Sequence, residues 1–154
     1  MKNILISVDT GKHSTKSIAK INGVIVKDIF STKVQQLNNI GVDLTNDSYN
    51  VEFGGKSYLI GDMLSEDKCD YNISKSSINR QVCIYLAICK ILDKTDVMMY
   101  GVPNVYLAVN IPINIYKNNI LKQEYQSLIY KNGEIIPMRV NGRSNKVNIT
   151  CCFY

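Results

Sequence analysis

Residues 3–31 read NILISVDTGKHSTKSIAKINGVIVKDIFS, and their punctuation decides the fold. Ile4, Leu5, Ile6 and Val8 form a short apolar run of strand length. Asp9-Thr10-Gly11 breaks it, and strand character resumes from Thr15 to Ile21. Asn22-Gly23 is the dipeptide favoured at tight hairpin turns, because both positions tolerate positive φ. Val24 to Phe30 then makes the return strand. The segment predicts an antiparallel three-strand meander whose two turns differ in chemistry: the second is a plain hairpin, and the first carries a carboxylate, hydroxyls and lysines.

Downstream, Thr32 to Asn46 is polar and reads as irregular. Tyr49–Phe53, Gly54-Gly55 and Lys56–Ile60 predict a hairpin, and Gly61 to Ser74 a polar loop. Residues 32–74 together read as a small insertion on a core of about 1–31 and 75–154. Ser77 to Asp93 is the clearest helix, with Ile78, Val82, Tyr85, Leu86, Cys89 and Leu92 spaced by threes and fours along one stripe. Ser76 or Ser77 is the expected cap. Val105–Ile111 is nearly all apolar and predicts a strand buried on both faces. Tyr116–Tyr130 predicts a second helix, stopped near Asn132-Gly133. Ile135–Val140, Asn141-Gly142 and Lys146–Tyr154 predict a third hairpin. Three antiparallel strands followed by an αβαβ half is the order of a ribonuclease H-like α/β fold with a mixed sheet, here with a small inserted β-hairpin subdomain.

Bulk properties agree with one domain. The chain has 154 residues, 45% hydrophobic and 20% charged, which excludes a disordered tail. A net charge of +5 is too small to argue for direct nucleic-acid binding. No apolar run approaches membrane-span length, and the first apolar stretch is too short for a signal peptide. Five cysteines without CxxC spacing argue against a disulfide scaffold or a zinc site and point to a reducing cytoplasm. Cys83 and Cys89 read as packing residues, and Cys151 and Cys152, neighbours on a strand, point to opposite faces, which argues against a metal role there. A single histidine excludes a multi-histidine metal cage. The chain closes on Val147-Asn148-Ile149-Thr150-Cys151-Cys152-Phe153-Tyr154, a strand pattern without a polar tail, and so reads as cut inside its fold.

The first turn, Asp9-Thr10-Gly11-Lys12-His13-Ser14-Thr15-Lys16, has the makings of a phosphate site. Backbone N–H groups in such a turn form an anion-binding concavity. Gly11 permits close approach, Lys12 and Lys16 add positive charge, and Asp9 is a hard oxygen ligand suited to hydrated Mg²⁺. The same residues also read as a plain hairpin turn. It is not a P-loop, since a strand follows where a helix is required. An aspartic-protease dyad built from two copies of Asp9-Thr10-Gly11 does not suit a chain with long helices. His13 reads as a solvated loop residue, Asp62 as a loop acid or helix cap, and Arg80 as a surface or salt-bridge residue.

Read in order, these pieces resemble the actin-like ATPases, and most closely their ParM/StbA plasmid-segregation branch. Ile4–Lys16 resembles the first phosphate loop, and Val51–Asp62, VEFGGKSYLIGD, the hairpin of the small subdomain. Lys75–Leu92 resembles the first long helix. Val105–Lys117, VYLAVNIPINIYK, resembles the strand leading to a Leu-Pro motif. Lys131–Ile149 resembles the hairpin before the hinge. Lys12 and His13 stand where the family usually has small residues, and Asn110 where it often has glycine.

The resemblance implies the first domain of a two-domain, filament-forming ATPase, with the hinge Glu or Gln and the second phosphate loop beyond Tyr154. It implies ATP or GTP with Mg²⁺ as cofactors. Asp9 would act on Mg²⁺ through water, and Thr10, Gly11, Lys12, His13 and Lys16 would line the nucleotide. Partners implied are further copies of the protein and a DNA-binding adaptor. Tyr49, Tyr58 and Tyr71 of the insertion are candidate subunit-contact residues, Tyr being favoured at interfaces; ordinary hairpin packing is the other reading. This chain alone is expected to be catalytically incompetent. Another actin-fold ATPase (a cell-shape or division protein, or a sugar kinase) and a stand-alone binding module are the alternatives.

Overall fold

The computed structural model describes residues 3–38, 44–45, 47–69 and 78–153, with side chains described as far as residue 150. The expected meander is present as β1 (Asn3–Thr10), β2 (Ser14–Ile21) and β3 (Val24–Ser31). Ile4, Ile6, Val8 and Thr10 are buried while Asn3, Leu5, Ser7 and Asp9 are exposed, the period-two alternation of a strand covered on one face. Asn22 and Gly23 take φ of 53° and 82°, the two positive angles that a type I′ turn demands.

Six more strands follow: β4 (Val34–Leu37), β5 (Ser48–Phe53), β6 (Lys56–Gly61), β7 (Asn104–Val109), β8 (Ile136–Val140) and β9 (Arg143–Phe153). All belong to one sheet of order β3-β2-β1-β7-β9-β8-β5-β6-β4. β9 joins its halves. Residues 143–147 run antiparallel to β8, and Asn148 to Phe153 run parallel to β7. The inserted hairpin β5–β6 pairs with β8 through Val51↔Val140 and Glu52↔Arg139, so it extends the main sheet. β4 stands in the stretch read as irregular. Its VQQL has no strand-like alternation of its own, and its edge pairing with β6 makes it a strand.

Helix α1 (Ile78–Asp93) lies across β1, β2 and β3. The sequence predicts a single apolar stripe, but Arg80 through Cys89 are all buried, Gln81 and Tyr85 included. A helix buried all round needs a second layer, which α3 (Asn119–Tyr130) provides, preceded by the single turn α2 (Ile113–Tyr116). Gln81 Nε2 donates to the Leu128 carbonyl and the Tyr85 hydroxyl to that of Ile129, both at 2.8 Å. These are last-turn carbonyls that have no partner within their own helix. α3 begins at Asn119, not at Tyr116, because the Asn118 side chain caps it, accepting from the N–H groups of Ile120 and Leu121. The expected α1 caps, Ser76 and Ser77, lie outside the described residues, as does Tyr71.

The opposite face of the β3-β2-β1-β7 half is bare among the described residues. Leu5, Ile18, Ile29 and Tyr106 are 59%, 42%, 60% and 40% exposed. Leu5 pairs with Tyr106, Ser7 with Ile18, and Lys16 with Ile29, so these side chains share one surface. β7 therefore departs from the expectation of burial on both faces: Val105, Leu107 and Val109 are covered by the helix layer, and Tyr106 is not. Cys83 and Cys89 are fully buried packing residues, as expected.

Candidate functional site

The turn between β1 and β2 is built by register. Asp9 pairs with Lys16 and Thr10 with Thr15. Side chains of paired residues point to the same face, so Asp9 and Lys16 emerge together on the bare face while Thr10 and Thr15 face the helices. The Gly11 N–H donates to the Ser14 carbonyl at 2.9 Å and closes the turn. A Cβ on Gly11 would stand 2.8 Å from that carbonyl oxygen, so the cradle is one only glycine fits without displacement. Thr32 braces the turn from behind. Its N–H donates to the His13 carbonyl, and its hydroxyl bonds that of Thr15, both at 2.9 Å.

Two further side chains converge on the turn. Arg80 of α1, 2% exposed, donates from Nη1 to the Thr10 carbonyl at 2.6 Å. The reading of Arg80 as a surface residue is therefore corrected: it lies beneath the turn and adds a fixed positive charge there. Asn110, just past the end of β7, donates from Nδ2 to Asp9 Oδ1 at 2.7 Å. Parallel register explains the meeting, because Val8 pairs with Val109 and the next residue of each strand is then adjacent. A cavity of about 510 Å³ lies beside Asp9 and Lys16, lined on the bare face by Ser7, Ile18 and Ile29 and reaching round the β3 edge to Asp28 and Lys94.

The expected site residues thus separate into groups. Asp9 and Lys16 sit together in the lining of this cavity, Gly11 closes the turn between their strands, and Lys12 and His13 are exposed on the turn. The Thr10 side chain is turned inward, 2% exposed with Oγ1 3.4 Å from Arg80 Nη1. Thr10 therefore meets the turn through its backbone and not through its hydroxyl. Tyr58 is 1% exposed, its side chain packed into the core from β6, which favours the packing reading over the contact reading. Tyr49 is half-buried, its hydroxyl accepting from Lys90 Nζ at 2.5 Å while that ammonium lies 4.0 Å from its ring centroid. Lys90 and Lys94 in turn hold Asp28 at 2.9 and 2.8 Å. Asp62, read as a loop acid, accepts from the Ser31 hydroxyl.

The donor set fits a magnesium-bound phosphate chain. Asp9 is an exposed hard carboxylate with one oxygen oriented by Asn110, of the type that holds hydrated Mg²⁺. Such an ion would neutralise phosphate charge. Gly11 provides close backbone approach, and Lys16 and Arg80 supply positive charge on either side.

The family of actin-like protein N-terminal domains matches residues 7–152. The chain belongs to that family. No curated protein matches it significantly. Among solved structures, the actin-like chain resembles the filament of AlfA from the B. subtilis plasmid pLS32, with TM-score 0.74 and 18% identity over 97% of this chain and 55% of that one. It resembles an AlfA filament bound to AMPPNP with TM-score 0.73 and 17% identity, over 100% of this chain and 54% of that one. It also resembles the apo ParM protein of psk41, with TM-score 0.70 and 14% identity over 98% and 49%. At these identities the likeness shows the fold. The actin-like chain spans about half the length of these structures.

Sequence reasoning found the turn but missed Arg80 and Thr32, and it marked Asn110 only as a departure from the family. The local signal for Arg80 was its place on the first turn of a helix, two residues before the apolar run Val82–Cys89. The signal for Asn110 was its position one residue beyond a strand parallel to β1. Among the described residues, no helix is long and apolar enough to cross a membrane.

Proposed function

We propose that the chain is the first domain of an actin-like, nucleotide-dependent filament protein of a plasmid-segregation system. The observation that carries this reading is the Asp9–Lys16 pair flanking a glycine cradle at the mouth of a cavity, in a chain of the actin-like family. In this reading Asp9 holds Mg²⁺ through water. Gly11, Lys12 and His13 line the phosphates with their backbone, and Lys16 reaches the β-phosphate. ATP, or GTP, is the ligand, as the AMPPNP-bound AlfA filament supports by fold.

Phosphoryl transfer depends on positioning and charge. One turn is part of that apparatus, and a second domain supplies the rest. The bare apolar face around Leu5, Ile18, Ile29 and Tyr106 supports a further layer of chain packing there, because sheets with parallel central strands are ordinarily covered on both faces. The partners in this reading are further copies of the protein and a DNA-binding adaptor, and the compartment is the cytoplasm.

Titration of Mg²⁺-ATP against the full-length protein and its Asp9→Ala variant tests the site. Weaker Mg²⁺-dependent binding in the variant is expected, and equal affinity removes Asp9 from the site. An ATPase rate from the 154-residue chain equal to that of the full-length protein would overturn the reading of a half-site.

A further inference from the structure

We propose that His13, Glu66 and Cys69 form a site for a zinc-type divalent cation, which takes the His13 imidazole where the nucleotide reading uses only that residue's backbone. One ligand atom from each of the three lies within 4.8 Å of the others. Cys69 Sγ is 3.7 Å from Glu66 Oε2. A tetrahedral Zn²⁺ with bonds of about 2.3 Å to sulfur and about 2.0 Å to oxygen separates those atoms by roughly 3.5 Å. The pair therefore stands near ligating distance, and small side-chain rotations bring the imidazole in.

Residues outside the cluster hold the ligands in place. Lys33 Nζ binds Glu66 Oε1 at 2.8 Å, leaving Oε2 on the side of Cys69. A ligating carboxylate oriented by an outer hydrogen bond is the usual arrangement at metal sites. The Cys69 N–H donates to the Glu66 carbonyl at 3.1 Å, and Cys69 forms an antiparallel bridge with Lys33. The neighbouring Thr32 N–H binds the His13 carbonyl at 2.9 Å. His13 and the sequence-distant pair Glu66 and Cys69 are thus tied to one backbone junction, at residues 32 and 33.

Ligand chemistry selects the ion. One imidazole, one thiolate and one carboxylate suit Zn²⁺, whereas Mg²⁺ and Ca²⁺ prefer oxygen alone. Three protein ligands leave a fourth position for water. Binding converts the Cys69 thiol to thiolate and releases its proton to solvent. The ion would pin the β1–β2 turn to the 3-10 turn Glu66–Lys68.

Cobalt is the spectroscopic probe. Titrating Co²⁺ into the protein is expected to give one equivalent bound, with a thiolate-to-cobalt charge-transfer band that Zn²⁺ displaces. The Cys69→Ser variant loses the band, and His13→Ala weakens binding at least about tenfold. His13 is exposed, so its replacement leaves folding intact. Zn²⁺ is expected to raise the melting temperature of the wild type and not of His13→Ala. No band in excess Co²⁺, or a band of equal affinity in both variants, would overturn the site.

Discussion

Asn110 donates its side-chain amide to Asp9 Oδ1 at 2.7 Å, joining the ends of two parallel strands whose residues are 101 apart in sequence. The bond orients a carboxylate that is otherwise exposed on the bare face of the sheet. Asn110→Ala removes it without disturbing the core. One hydrogen bond is worth about 1 kcal/mol, so Mg²⁺-ATP affinity in the full-length protein is expected to fall roughly fivefold. Calorimetric titration measures the change, and an unchanged melting temperature shows that the loss belongs to the site.

Arg80 makes a separate prediction about stability. Its guanidinium is buried against the Thr10 carbonyl at 2.6 Å. Arg80→Met keeps the volume and leaves that carbonyl without this donor, which costs about 1–3 kcal/mol. Arg80→Lys retains a donor and is expected to fall between the two. Urea unfolding followed by circular dichroism gives the ranking. If Arg80→Met matches the wild type, the buried bond does not stabilise the turn.

The contrast between these residues and the meander shows what a sequence carries. Asp9 and Lys16 were legible as partners because a hairpin is local: the apolar alternation on each side of Gly11 sets the register that puts them opposite each other. The same holds for Asn22-Gly23 and Asn141-Gly142, whose positive φ angles follow from the dipeptides themselves. Arg80 and Asn110 reach the turn through the tertiary fold, from 70 and 101 residues away. No spacing rule connects them to Asp9. β4 was illegible for the same reason, since its partner β6 makes it a strand. The exposure of Tyr106 was misread because an apolar run does not record whether a covering layer is present on each side. Tyr58 stayed open between contact and packing because aromatic residues favour both interfaces and cores.

Cys89 predicts a chemical silence. Burial, with a smaller contribution from Asp93, pushes its thiol well above the usual range, and its Sγ lies 3.2 Å from Met138 Sδ. The thiolate is the reactive form, so iodoacetamide meets almost none of it in the native protein. Cys83, equally buried, behaves the same way. Mass mapping is expected to show both modified at least about a hundredfold more slowly in buffer than in urea, because reaction waits on opening of α1. Rapid native labelling of Cys89 would mean that α1 opens locally.

The bare sheet face makes the last prediction. Leu5 and Ile29, 59% and 60% exposed, contribute apolar area to solvent and little to the core. Replacing both with lysine should change stability by no more than about 0.5 kcal/mol per site. Tyr106 beside Leu5 tolerates a long side chain that lies along the surface with its charge in water, and the like charge of Lys16 opposite Ile29 adds only a few tenths of a kcal/mol on this exposed face, about the size of other exposed pairs. The apolar patch shrinks, so binding of a hydrophobic dye and concentration-dependent association of the 154-residue chain are both expected to fall. Light scattering and dye fluorescence at matched concentrations measure this. A large drop in melting temperature would give the opposite answer, because a lysine costs heavily only where something already covers the face.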